Sequence, residues 1–165
     1  MTDRTLLRLE FEQRYFEEAA LLDQDRLEEW LDLFADDVRY FAPVRAELGR
    51  GNEDLARGLR LSIFDDNKDG LKLRVARIRS GAAHADEPPS RVRHFVTNVR
   101  VLQCDGEKAT VASNFIVFKS RHGRDETLFV GRREDRWAGG PGNWKIAGRL
   151  IVLDHNILEN VTVLF

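Results

Sequence analysis

The hydrophobic period of this chain changes once, and that change constrains the fold more than any motif. In the first third the apolar residues recur at helical steps: Phe11, Tyr15, Ala19 and Leu22, then Leu27, Trp30, Leu31 and Phe34. From Arg91 onward the period is two, in four segments covering 91–104, 108–121, 126–138 and 143–154. Between them lie Cys104-Asp105-Gly106-Glu107, His122-Gly123-Arg124-Asp125 and Gly139-Gly140-Pro141-Gly142, all turn sequences. Connections that short make the strands antiparallel neighbours. Helices first and a strand meander second specify an α+β fold. A sheet that is apolar on one face must have that face covered, and the amphipathic helices are the available cover.

The stretch joining the two halves is less regular. Asp23 and Asp25 are candidate caps for the second helix. Val38, Tyr40, Ala42 and Val44 alternate as a strand does, and Pro43, which cannot donate a ladder hydrogen bond, puts that strand at an edge or ends it. Residues 46–62 are rich in Gly and Arg and read as a long exposed loop. Residues 66–80 fit a helix started by Asp66 better than a strand. Asp65-Asp66-Asn67-Lys68-Asp69-Gly70 imitates the start of a calcium loop, but the twelfth position, where a bidentate Glu belongs, is Ala76. A capped helix start is the better reading.

Composition removes several function classes. The chain has 165 residues, enough for one domain over 1–165 that buries about 70% of its unfolded surface. Its 26 basic and 28 acidic residues leave a formal charge of −2, unlike a nucleic-acid binder. Cys104 is the only cysteine, so the chain has no internal disulfide, four-thiolate zinc site or iron–sulfur cluster of its own. No apolar run is long enough to span a membrane and Met1 to Glu10 do not read as a secretory leader, so the expectation is a cytoplasmic chain. Asn160-Val161-Thr162 is then a sequon without a glycosylation context.

The four histidines, His84, His94, His122 and His155, are scattered, and none has the i, i+4 spacing of a helical ligand pair. His94 is the one to place in a cavity, on the same side of its strand as Val92, Val96 and Asn98. A hydrogen-bonded structural histidine is the more economical reading. The basic pieces Arg91-Val92-Arg93-His94 and Gly131-Arg132-Arg133-Glu134-Asp135 mix with acidic residues, which favours ion pairing within or between chains over anion binding.

Glu18-Ala19-Ala20-Leu21-Leu22-Asp23, Trp30-Leu31 and Asp37-Val38-Arg39-Tyr40-Phe41-Ala42-Pro43-Val44 form one ordered series. It continues with Leu73-Arg74-Val75, the run from Pro88 to Val99, Ser113-Asn114-Phe115, Gly131 to Asp135, Ala147 to Asp154 and Asn160 to Phe165. Taken together the chain resembles the small (β) subunits of aromatic-ring-hydroxylating dioxygenases along nearly its whole length. The resemblance implies a cone of curved sheet wrapped around helices, as in nuclear-transport-factor-like and ketosteroid-isomerase-like proteins. It implies an α3β3 oxygenase whose large α subunit carries a Rieske [2Fe–2S] centre and a mononuclear non-haem iron. Electrons come from NAD(P)H through a reductase and ferredoxin, and the product is a cis-dihydrodiol. The β chain then has no catalytic residue, cofactor or metal of its own; it forms a trimeric base for the α subunits. Arg91, Arg93, His94, Asn98, Arg132, Arg133, Asp135 and Phe165 are its candidates for a subunit interface or a buried polar network. The rival is a small isomerase, dehydratase or cyclase on the same cone, with Tyr40, His94 and Asn98 or Asn114 in acid–base roles.

Overall fold

The computed structural model describes residues 3–44, 62–80, 90–121, 125–155, 161 and 163–165. Helix α1 covers Asp3–Asp23 and α2 Leu27–Leu31; strands β1 (Phe34–Pro43) and β2 (Ser62–Asp66) lead into α3 (Lys68–Arg79). The second half is the meander β3 (Arg91–Cys104), β4 (Lys108–Arg121), β5 (Asp125–Ala138) and β6 (Lys145–Leu153). The strands form one curved mixed sheet in the order β2-β1-β6-β5-β4-β3. Neighbours from β3 to β6 are antiparallel, whereas β1 runs parallel to β6.

The change of period is the change from helices to meander, and the alternation sets which face is inside. Phe115 and Val117 of β4, Phe129 and Trp137 of β5, and Ile146 and Ile151 of β6 are buried. Against them α1 turns Phe11, Tyr15 and Leu22 inward, with the Phe11 ring 5.3 Å from both Trp137 and Trp144. Gly131 is required by close approach rather than by a turn. A Cβ there would lie 2.3 Å from the Val152 carbonyl oxygen and 2.9 Å from the Phe115 ring.

Several sequence expectations are corrected. Asp25 caps nothing: with φ at 58° it adopts the left-handed conformation that ends α1, and its carboxylate pairs with Arg79. Asp23 reaches across to β3 instead. Phe34 opens β1 rather than closing α2, because α2 is only five residues long. Of the two expectations for Pro43, an edge or an end, the second holds: β1 lies between β2 and β6 and stops at Pro43. Strand β2 has no counterpart in the sequence reading, since Ile63 and Phe64 alone carry no period. The loop read over 46–62 lies, up to residue 61, outside the described residues, as do His84 and His122. At the calcium-like sequence, Asn67 caps α3 by accepting from the Gly70 N–H at 2.9 Å, while Asp65 and Asp66 pair with Arg39 and Arg74. It is a capped helix start.

Asn98 departs most from simple alternation. Its φ is 55° and the β3–β4 register shifts between Thr97 and Arg100. This bulge moves the inward set from Val92, His94 and Val96 to Val99 and Val101, and leaves Asn98 exposed rather than beside His94.

Candidate functional site

The interior of the cone is built around charge. Alternation on β5 points Arg133 and Asp135 inward, β6 contributes Arg149, and α1 contributes Glu18 one turn beyond Tyr15; all four are buried. Arg149 uses every donor of its guanidinium. Nε donates to Asp135 Oδ1 at 2.8 Å and Nη2 to Asp135 Oδ2 at 2.9 Å and Glu18 Oε2 at 3.0 Å. Nη1 donates to Glu18 Oε1 and to the Phe165 carbonyl oxygen at 2.8 Å. Tyr15 donates to Asp135 at 2.9 Å and the Trp30 indole to Glu18 at 3.1 Å. Arg133 is tied less tightly, at 3.4 Å from Glu18, with its guanidinium 4.9 Å over the Tyr15 ring.

Two cations and two anions fill the same small volume, and the titration of Glu18 and Arg149 responds to it. Burial by itself raises the Glu18 carboxyl, but the charges of Arg149 and Arg133 and hydrogen bonds from Arg149 and Trp30 outweigh it, holding the group at about 2 against an ordinary 4.5. Burial likewise opposes the charge on Arg149, yet Asp135 and Glu18 keep that guanidinium well above its usual value. Burial raises the Tyr15 and Tyr40 hydroxyls, with Asp135 adding to the effect at Tyr15. Both tyrosines are neutral hydrogen-bonding groups.

Beside the charges sits the segment Val163–Phe165. The Tyr40 hydroxyl accepts from the Phe165 N–H and donates to the Phe165 carbonyl oxygen, both at 2.8 Å. His94 holds the preceding residue: Nε2 lies 2.9 Å from the Leu164 carbonyl oxygen and Nδ1 2.7 Å from Asp23 Oδ1, which also accepts the His94 backbone N–H at 3.0 Å. His94 therefore ties the end of α1 to this segment. Replacing it with Ala leaves the Leu164 carbonyl without its imidazole partner and the Asp23 carboxylate with only the backbone N–H and Arg93, an expected cost of about 1–3 kcal/mol measured by urea unfolding.

Of the residues singled out from sequence, the structure brings Arg133, Asp135 and Phe165 into one network, with His94 at its margin. Arg91, Arg93 and Asn98 are exposed, Arg93 lying 3.3 Å from Asp23, and Arg132 is partly buried. The acid–base set of the rival reading does not converge: Tyr40 serves Phe165, His94 serves Asp23 and Leu164, and Asn98 and Asn114 are exposed. Sequence reading missed Glu18, Arg149 and Tyr15 as partners. Glu18 carried a signal, since it falls on the apolar stripe of α1 beside Ala19. Among the described residues, no group of three or more His, Cys, Asp or Glu side chains is placed to hold a metal ion.

The outer face of the sheet is unusual in another way. Register places Phe95 opposite Ile116 and Ile116 opposite Val130, so three partly exposed apolar side chains cross β3, β4 and β5 in one row, with Leu128 also exposed. Such a row is a mark of a contact surface.

An α+β cone with its interior filled by its own side chains defines the class of protein, and the fold is shared with proteins of other activities. A type 2 hexachlorocyclohexane dehydrochlorinase has the same fold, with a TM-score of 0.61 at 14% identity over 93% of this chain and 88% of that one. The particular family is more specific. The model of the ring-hydroxylating β subunit matches residues 17–160, and the chain belongs to that family. It is 36% identical to the β subunit of a 3-phenylpropionate/cinnamic acid dioxygenase from Photorhabdus laumondii, over 96% of this chain and 92% of the relative. It also superposes on a chain of naphthalene 1,2-dioxygenase with a TM-score of 0.80 at 25% identity, covering 98% of this chain and 87% of that one. This chain is therefore the β subunit of an aromatic-ring-hydroxylating dioxygenase, the companion of a larger α subunit. No helix among the described residues is long and apolar enough to cross a membrane.

Proposed function

We propose that the chain is a non-catalytic scaffold, a single domain over residues 1–165 that holds catalytic α subunits in a cytoplasmic α3β3 oxygenase component. The observation that carries this reading is the filled cone. The interior of the cone is occupied by Phe165, Arg149 and their partners, all of them buried. The reaction belongs to the α subunit, with a Rieske [2Fe–2S] centre and a mononuclear iron, using O2 and electrons passed from NAD(P)H by reductase and ferredoxin to form a cis-dihydrodiol. A Rieske centre needs two Cys and two His, and this chain has one Cys.

A cyclic trimer is built from head-to-tail contacts, in which two different patches of each copy meet. The outer face supports such a contact: beside its apolar row, at one end of the same three strands, the exposed Arg91 on β3 and Glu126 on β5 lie on either side of Ser120. The partner on this face is another copy of the chain. Ile116→Asp places a charge at the centre of the row and is expected to weaken trimerisation about tenfold or more. Sedimentation of wild type and variant reads this directly, and an unchanged association constant argues against the assigned face.

The division of labour is tested by co-expressing the chain with its α subunit. The isolated β chain is expected to carry no stoichiometric iron or labile sulfide. A complex containing His94→Ala should assemble less completely yet turn over normally per iron. About one tightly bound iron per β chain, or full assembly with most turnover lost, rules out a purely structural role.

A further inference from the structure

Phe165 is seated in the cone the way a bound ligand is. Residues 163–165 belong to no helix or strand, yet all three are buried. The Phe165 ring is enclosed by other rings, with centroids 5.2 Å away at Phe115, 5.6 Å at Phe129 and 6.2 Å at Phe64. Its polar atoms are met by two side chains from different strands, Tyr40 on β1 and Arg149 on β6. An apolar cage with a few converging polar groups at one end is the make-up of a small-molecule site.

The same region holds donors that the described residues do not use. Among the described residues, Arg133 Nε and Nη2 and Ser113 Oγ are buried and have no hydrogen-bond partner, although the two residues face each other in the β4–β5 register. The Arg133 guanidinium carbon lies 5.9 Å from the centre of the Phe115 ring, the same ring that packs on Phe165. A guanidinium cannot shed its charge, so its open donors favour an oxygen acceptor nearby.

We propose that the cone interior is a binding site for an aromatic ring bearing a carbonyl or carboxylate oxygen on the third carbon of its side chain, and that Phe165 is its built-in occupant. The ring lies in the Phe64, Phe115 and Phe129 cage and the oxygen on Arg149 and Tyr40. The site is a property of this chain's cone and does not depend on the scaffold role.

The test uses 3-phenylpropionate and its neutral counterpart 3-phenylpropanamide, which reproduce the ring, the two linking carbons and the oxygen. A variant of the chain ending at Leu164 vacates the site. One or both probes should then bind one to one in calorimetry and raise the melting temperature by roughly 3–10 °C at concentrations well above Kd. Propylbenzene, lacking the oxygen, should bind about tenfold more weakly or worse. The wild type should not respond, because its own Phe165 competes within the molecule. Phe165→Gly is the second variant: it keeps the backbone bonds, empties only the cage, and should bind toluene. A folded Leu164-ending variant that binds neither probe overturns the proposal, as does a wild type that responds equally. If that variant folds only with a probe present, the proposal is supported. If it does not fold at all, toluene binding by Phe165→Gly supports the cage, and no binding or no folding there overturns it.

Discussion

Arg149→Met is expected to lower the unfolding free energy by about 3–5 kcal/mol, the largest single-site effect in the chain. Arg149 is fully buried and donates five hydrogen bonds, to Glu18, Asp135 and the Phe165 carbonyl oxygen. Methionine fills similar space but leaves two carboxylates buried near each other without their shared cation. The cost is the stranded charge rather than lost packing. At this chain length the melting temperature should fall by roughly 2–4 °C for each kcal/mol. Replacing Glu18 and Asp135 by Gln and Asn in the same chain should recover much of the loss, because removing a whole buried network costs less than breaking it. Arg149→Lys should lie between, since an ammonium cannot serve both carboxylates with a planar fork. A single Arg149→Met variant within 1 kcal/mol of wild type by urea unfolding would falsify the assignment of this network as the centre of cone stability.

The second large effect is on acid stability and comes from Glu18. Its folded value of about 2 lies below the 4.5 of an unperturbed carboxyl. Between those values the unfolded chain binds more protons at this position than the folded one, so stability rises with pH across that window. The contribution is complete above about pH 4.5 and is lost as pH falls through about 2. The gap corresponds to about 3 kcal/mol. Glu18→Gln should flatten the dependence of unfolding free energy on pH between 2 and 4.5, while lowering stability at pH 7. An equal slope in wild type and variant means that Glu18 is not the residue responsible.

The four strands of the second half were legible because each pairs with a sequence neighbour through a short turn, and alternation alone then fixes face and extent. Segments read as 91–104 and 108–121 are β3 and β4 as observed, and β5 and β6 differ by one or two residues at their ends. Strand β2 was not legible, because five residues in a small edge strand carry no period and take their conformation from β1. The Asn98 bulge was hidden for a related reason: one residue in the left-handed region reverses the inside and outside of everything after it, without a glycine to mark it. At the site, Arg133 and Asp135 could be picked out as an alternating charged pair. Their burial could not, since a charged residue in a strand is ordinarily on the wet face.

The order of helices and meander, and through the resemblance of its segments the family, could be read along the chain. Both are carried by local period and by residue identity along the chain. It took the folded chain to bring Glu18, Asp135, Arg133 and Arg149 into one dry volume, to turn Asp23 from helix cap to partner of His94, and to close the cone with Phe165. These contacts join residues as far apart as Glu18 and Arg149, and no local pattern encodes which distant charge will meet which. A buried carboxylate is affordable only where the fold has already brought a guanidinium to it.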